Sequence, residues 1–250
     1  MNVSEYVWQR LSEWGLRRVY GYPGDGVGGL DVALEKAKDR MQYVQVRHEE
    51  MAAFMASAHA KFTGQVGLCY ATSGPGAIHL LNGLYDAKMD HVPVVALVGQ
   101  QARTGLGASY QQEVDLQNLF KDVSEYVALA SVPAQVRHLI DRAVRIAHNK
   151  RAVSCVILPN DLQELEYEDP PLAHGATHTG VGYAGPAKLP DEALLREAAD
   201  VLNSGKKVAM LLGPGRSRRP TRSSRWRSGC RRVSPRRCSA RPRFLTICRS

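Results

Sequence analysis

The strongest constraint on this chain is an alternation. Short apolar runs at residues 17–22, 42–46, 66–71, 92–98, 125–130 and 153–158 are separated by longer segments with helical spacing. The short runs are rich in Val, Leu and Tyr. They are continuous and not polar at every second position, as expected of strands covered on both faces. The intervening segments, 3–14, 29–38, 49–62, 77–88 and 134–148, read as helices. Strand–helix alternation requires right-handed crossovers, so the expected fold is α/β with a doubly wound parallel sheet. Sites in such sheets form at the carboxyl ends of strands, where the loops gather.

This pattern outlines a domain over residues 1–166. Residues 167–189, with Pro170-Pro171 and several Gly and His, read as a linker. A helix over 190–203 and a strand over 207–212 then resemble the start of a second α/β domain, 190–215. From Arg216 onward the composition changes. Residues 216–250 hold thirteen Arg, no Lys and no acid, which accounts for more than the whole net charge of +9. The preceding residues carry 20 basic against 24 acidic groups and are mildly acidic. Three readings of the tail compete: a basic nucleic-acid arm, a disordered segment poor in apolar residues, and a stretch read in a shifted frame of a GC-rich gene. The shifted frame fits the Arg, Ser, Pro and Cys content best, and no nucleic-acid partner is expected.

Composition excludes other classes. No run of eighteen apolar residues exists, so no membrane span is expected. The first five residues, Met1-Asn2-Val3-Ser4-Glu5, lack the basic and apolar regions of a secretory signal. Only Cys69 and Cys155 precede the tail, with no CxxC pair, which suits a reducing cytoplasm and argues against a zinc or disulfide framework.

Four loops follow strands. The first, residues 21–29, contains a literal GxGxxG at Gly24, Gly26 and Gly29, with Glu49 twenty residues beyond Gly29. That is a dinucleotide-binding fingerprint on paper, although glycine-dense loops match it often. The second is Arg47-His48-Glu49-Glu50. Glu49 opens a helix of small apolar residues. Its carboxylate either simply complements the helix dipole or, desolvated at a strand's end, becomes a proton-sharing group with a raised pKa. His48 has no partner at ligand spacing, so it reads as pocket-lining and no metal ligands are expected. The third loop, Thr72-Ser73-Gly74-Pro75-Gly76-Ala77, puts Pro at a helix start and lets a ligand or backbone approach closely. The fourth runs from Gly99-Gln100 to Asp115. Asp86, Asp90 and His91 lack triad or metal spacing, and no GxSxG is present.

Taken in order, GYPGD, VRHEE, TSGPGAIHLLNGLYDA, DHVPVVALVGQ and YQQEVD resemble the pyrimidine-binding domain of thiamine diphosphate enzymes. The similar group is that of pyruvate oxidase, pyruvate dehydrogenase (quinone) and acetolactate synthase. The resemblance covers roughly residues 1–165, and 190–214 resemble the start of that family's central domain. It displaces the dinucleotide reading of the first loop. Gly24-Asp25-Gly26 also opens that family's magnesium–diphosphate motif, but the Asn that completes it is missing from residues 50–57.

The resemblance implies roles. Glu49 matches the family glutamate that hydrogen-bonds N1′ of the aminopyrimidine and promotes loss of the thiazolium C2 proton. The cofactor then serves as electron sink for decarboxylation of a 2-oxo acid such as pyruvate. Tyr22, Pro23 and Gly24 should lie near thiazolium and substrate, with Thr72, Gly74, Pro75 and His79 around the pyrimidine. Gln112 matches a substrate-pocket glutamine. Gln111 stands where Phe is usual and His79 where acetolactate synthases often carry Asn; both departures bear on the substrate. The family holds the diphosphate and Mg²⁺ in a C-terminal domain, often binds FAD in the central one, and builds its active site between subunits of a homodimer or homotetramer. The chain is therefore expected to be an incomplete copy, inactive by itself. Two alternatives remain: a Rossmann-type NAD-dependent oxidoreductase using the 24–29 loop, and a non-catalytic subunit that keeps the domain as an interaction surface.

Overall fold

A computed structural model describes residues 1–183, 190–205 and the backbone of three strands beyond them. The chain forms two units, Met1–Gly185 and Pro186–Ser250.

The first unit contains all six expected strands: β1 (Arg18–Gly21), β2 (Gln42–Gln45), β3 (Gly67–Ala71), β4 (Val94–Gln100), β5 (Tyr126–Leu129) and β6 (Val153–Pro159). They make one parallel sheet in the order β2-β1-β3-β4-β6-β5. Five longer helices flank it: α1 (Val3–Glu13), α2 (Gly28–Lys36), α3 (Glu49–Thr63), α4 (Pro75–Met89) and α6 (Val136–Lys150). Short helices α5 (Leu116–Leu119) and α7 (Asn160–Gln163) complete the unit.

The helix boundaries follow local chemistry. Asn2 and Glu5 form a reciprocal capping box at the start of α1. Gly64, at φ 77°, ends α3 in the left-handed conformation that glycine adopts without strain. Pro75 occupies the first turn of α4, where its missing N–H costs little.

The continuous apolar runs are explained by two cores. In β3, Leu68 and Tyr70 enter one core with Trp8, Leu11, Leu30 and Ile140 of α1, α2 and α6. Cys69 and Ala71 enter the other, with Ala52, Ala56, Leu80 and Leu84 of α3 and α4. Alternate side chains thus serve opposite faces, and both faces are covered. The sequence reads every strand this way, but β2 and β5 are only half-buried. Each lies at a sheet edge with one neighbouring strand, and apolar content does not distinguish an edge from the centre. On the α3–α4 side, a Cβ on Gly83 would fall 2.6 Å from Ala53 Cβ, so the two helices pack through small residues.

A buried ion pair ties α1 to α6. Arg10 donates twice to Asp141, at 2.8 Å to each carboxylate oxygen, and Trp14 Nε1 donates to the same group at 2.7 Å. Burial disfavours the charge, but hydrogen bonds from Arg10, Thr179 and Trp14 hold the Asp141 carboxyl below the usual carboxylate range. The segment read as a linker contributes here. Thr179 reaches Asp141, Tyr167 stacks on Tyr6 with ring centroids 3.5 Å apart, and Tyr183 stacks on His148 at 3.7 Å. Tyr167, Thr179 and Tyr183 therefore lie against α1 and α6.

In the second unit, α8 (Glu192–Ser204) is capped by Asp191, which accepts from Ala193 N–H at 2.7 Å. Strands β7 (Lys207–Leu212), β8 (Val233–Pro235) and β9 (Arg243–Cys248) form an antiparallel sheet in the order β7-β9-β8. The remainder of the Arg-rich segment 216–250 lies outside the described residues, as does the question of its origin. Among the described residues, no helix is long and apolar enough to cross a membrane.

Candidate functional site

From β1 the chain passes outward to β2, then returns to place β3 on the other side of β1. The sheet's direction of winding reverses there, and crevices at such reversals bind ligands beyond the strands' carboxyl ends. The loops leaving β1 and β3 meet at this point. Gly26 N–H donates to Thr72 Oγ1 at 2.9 Å. A Cβ on Gly24 would fall 2.7 Å from Thr72 Cβ, and one on Gly26 would fall 2.7 Å from Ser73 Oγ. Asp31 of α2 anchors the first loop by accepting from Tyr70 Oη at 2.6 Å and from Gly24 N–H at 3.3 Å. Its burial raises the carboxyl's pKa, and the two hydrogen bonds offset part of that rise.

The glycines of the GxGxxG are thus required by packing. Gly26 is buried under the third loop, its carbonyl accepts from Gln163 Nε2 at 2.8 Å, and a Cβ on Gly29 would strike Gln163 Cβ at 2.7 Å. The pattern is satisfied without a dinucleotide.

Glu49 is the first residue of α3, directly after β2, with His48 as N-cap. Its carboxyl points inward and the residue is 9 % exposed. Oε2 lies 2.9 Å from His79 Nδ1 on α4. Oε1 faces Gly76, where a Cβ would come within 3.1 Å of it and within 2.7 Å of Thr72 Cγ2. Gly76 therefore lets the first turn of α4 pack closely against the carboxyl and Thr72, with less than a methyl's room between them. The His48 and His79 rings pack at a centroid distance of 4.2 Å. Ligand atoms of His48, Glu49 and His79 all lie within 4.8 Å of one another.

The fourth loop closes over the third. Gly74 sits at φ +60°, and a Cβ there would fall 2.7 Å from the Gln112 carbonyl oxygen. Gln112 itself is at φ 62°. Gln101 Nε2 donates to the Gln111 carbonyl at 2.7 Å and reaches Ser73 Oγ at 3.4 Å.

The structure therefore gathers Gly24, Thr72, Gly74, Glu49, His79 and Gln112 around the Gly74-Pro75-Gly76 bend. Pro75 is exposed on the first turn of α4, and Tyr22 and Pro23 are exposed beside Gly24. Sequence reasoning read Gly76 only as a glycine that lets a ligand or backbone approach closely, and assigned no role to Asp31, Ser73 or Gln101. Gly76 had a signal, a second glycine flanking a helix-start proline; Asp31 had none. The nearness of His48 to His79 could not be read from sequence spacing, because His79 lies on a different helix.

Residues 1–119 match the family model described as thiamine pyrophosphate enzyme, N-terminal TPP binding domain. The chain is 44% identical over 161 residues to a pyruvate oxidase of Lactiplantibacillus plantarum, covering 64% of this chain and 27% of that protein. It is 35% identical over 213 residues to the putative thiamine pyrophosphate-containing protein YdaP of Bacillus subtilis, covering 85% of this chain and 36% of the relative. An acetolactate synthase of Mycobacterium avium is 33% identical over 215 residues, covering 85% of this chain and 33% of the synthase. The chain spans well under half the length of each of these three relatives. Residues 1–119, within the parallel α/β sheet and the loops gathered around Glu49, therefore form the N-terminal TPP binding domain of the thiamine pyrophosphate enzymes.

Proposed function

We propose that this chain provides the aminopyrimidine-binding and proton-transferring half of a thiamine-diphosphate-dependent enzyme that decarboxylates a 2-oxo acid, pyruvate being the first candidate. One observation carries this reading. A buried carboxyl at the sheet's winding reversal has one oxygen on His79 and the other against the close-packed glycine turn that opens α4. An aminopyrimidine nitrogen reaching this carboxyl would meet a group already oriented by His79 and by the α4 turn.

When bound, the cofactor supplies the electron sink for decarboxylation. Glu49 holds or releases a proton at the pyrimidine N1′, and its nearly dry position strengthens that hydrogen bond. Thr72, Gly74 and Pro75 border the ring, and His79 fixes the carboxyl's orientation. Tyr22, Pro23 and Gly24 stand at the mouth of the crevice toward thiazolium and substrate. Gln112, packed on Gly74, reaches the substrate side.

The diphosphate and its Mg²⁺ are assigned to residues outside this domain. Among the described residues Asp25 belongs to no group that could hold a metal ion. FAD, which the resemblance associates with a central domain, finds no supporting feature among the described residues and is not needed for this step. Assembly into a homodimer or homotetramer is part of the proposal. The outer face of α3 and α4 exposes Met51, Ile78, Tyr85 and Met89, more apolar surface than two solvated helices need to show. A cytoplasmic location is proposed as well. Cys69 and Cys155 are unpaired and buried, and burial alone pushes the Cys69 thiol up to about 12, which makes it unreactive.

Amide NMR of the ¹⁵N-labelled chain during a thiamine titration tests the reading. Shifts should cluster at His48–Glu50 and Thr72–His79, and Glu49→Gln should weaken binding. Shifts confined to other loops, or equal binding by Glu49→Gln, would overturn it.

A further inference from the structure

The Glu49–His79 contact and the neighbouring His48 ring suggest a second use of the same residues. We infer that His48, Glu49 and His79 bind a divalent zinc-class transition metal, and that the ion excludes an aminopyrimidine by occupying Glu49. The metal site stands on geometry alone; the exclusion rests on the function proposed above.

Two imidazoles and a carboxylate are the donor set of open zinc sites, which keep a further position for water. Here the three ligand atoms already lie within 4.8 Å of one another. Metal–ligand bonds of about 2.0–2.2 Å put neighbouring ligands about 3–4 Å apart, so modest side-chain rotations close the set. The Glu49 Oε2–His79 Nδ1 pair, at 2.9 Å, needs little adjustment. One proton occupies that contact, because a carboxylate offers no donor of its own. A cation takes the proton's place, and the imidazole hydrogen moves to the ring's other nitrogen. No proton need be lost overall.

The surroundings favour a cation on balance. The N-terminus of α3 opposes it, with a partial charge of about half a unit. Glu49 and Glu50 bring two carboxylates against that. Glu50 Oε2 lies 3.9 Å from His48 Nδ1, and its other oxygen accepts from Asn82 Nδ2 at 2.6 Å. His48 is otherwise held by a long bond from Glu50 N–H, 3.3 Å, which is easily surrendered. The histidine side chains are 48% and 42% exposed, and they line a cleft of about 260 Å³ with Glu50, Ile78, Leu81 and Asn82. An ion can therefore enter from solvent. Imidazole ligands select zinc-class ions, whereas Mg²⁺ prefers oxygen, so this site is distinct from any magnesium–diphosphate contact.

Cobalt(II) titration of the full chain, followed by visible absorption, tests the inference with Mg²⁺ as control. Nitrogen and oxygen donors give ligand-field bands without the thiolate charge transfer that Cys230, Cys238 or Cys248 would add. His48→Ala and His79→Gln, with folding checked by circular dichroism, should each weaken cobalt binding at least about tenfold, as expected for the loss of a direct ligand. Zn²⁺ should also abolish the thiamine-induced amide shifts. Cobalt affinity unchanged in both histidine variants would overturn the metal site, whatever thiamine does. Histidine-dependent metal binding with undiminished thiamine shifts would leave the metal site standing. It would refute the exclusion alone, since Glu49's part in holding the pyrimidine is tested separately by Glu49→Gln.

Discussion

Glu49 and His79 are 30 positions apart in the chain and 2.9 Å apart in space, each near the start of its helix. The carboxyl is therefore oriented before any ligand arrives, with its second oxygen turned toward Gly76. Both proposed uses of the site follow from this arrangement. A heterocycle hydrogen-bonds this one carboxyl, and a metal would engage the same group in place of the proton it shares with His79.

Gly76→Ala is the sharpest probe of the Oε1 side. The added methyl would sit 3.1 Å from Glu49 Oε1 and 2.7 Å from Thr72 Cγ2. Overpacking of this kind costs about 1–3 kcal/mol, so the domain should still fold with a lowered melting temperature. Thiamine binding should fall at least about tenfold, since 1.4 kcal/mol is enough for that. Wild-type affinity in a thiamine titration would remove Gly76 from the pocket.

Gly74→Ala tests the closure of the fourth loop. Gly74 adopts φ +60° against the Gln112 carbonyl, and a side chain there meets both backbone strain and a contact at 2.7 Å. A cost of about 1–3 kcal/mol is expected, with the 101–115 loop displaced. Limited proteolysis should cut that loop faster than in the wild type. Equal cutting rates would mean that the loop does not depend on the bend.

The pair between Arg10 and Asp141 sets a pH dependence. Hydrogen bonds and the Arg10 charge outweigh burial and lower the folded-state pKa of Asp141. Its stabilisation is therefore present above the unfolded value of about 3.9 and is lost as pH falls through the lower folded value. Asp141→Ala should cost about 1–3 kcal/mol at neutral pH, because Trp14 Nε1 loses its acceptor while Arg10 keeps Glu13 at 2.7 Å. It should also flatten the acid limb of stability. Urea unfolding at pH 7 and pH 3 checks both. An unchanged acid limb would assign the acid sensitivity to other carboxylates.

NAD(H) should not bind the 24–29 loop. Gly26 lies under Thr72 and Ser73, and its carbonyl is taken by Gln163. A fluorescence titration with NADH should show no saturable change, whereas saturable quenching would revive the dinucleotide reading.

Much of the fold was legible because the apolar runs are unbroken. Leu68 through Ala71 alternate between two cores, and only a doubly covered sheet leaves such a run without a polar position. The edge strand β5 was not distinguished, since its residues, Tyr126–Leu129, are as apolar as those of a central strand and only its missing neighbour leaves it half-buried; at β2 the exposed positions are Gln42 and Gln45. The site's first partner, Glu49, was visible as a charge opening an apolar helix. His48 as a companion of His79 was not, because their meeting depends on how closely α3 and α4 pack, through Ala53 and Gly83. Nor was the docking of residues 167–183, where Tyr167, Thr179 and Tyr183 carry the contacts within a stretch whose Pro and Gly content suggests a linker.

The role of the Glu49 carboxyl is tested most directly by the rate at which the C2 proton of thiamine diphosphate exchanges with deuterium, followed by proton NMR with the chain and Mg²⁺ present. With the diphosphate- and Mg²⁺-binding half of a related enzyme added in trans, wild-type chain should accelerate exchange over the free cofactor, and Glu49→Gln, with an unchanged circular dichroism spectrum, should return it to the free rate. Exchange indifferent to that substitution would contradict the assignment of Glu49.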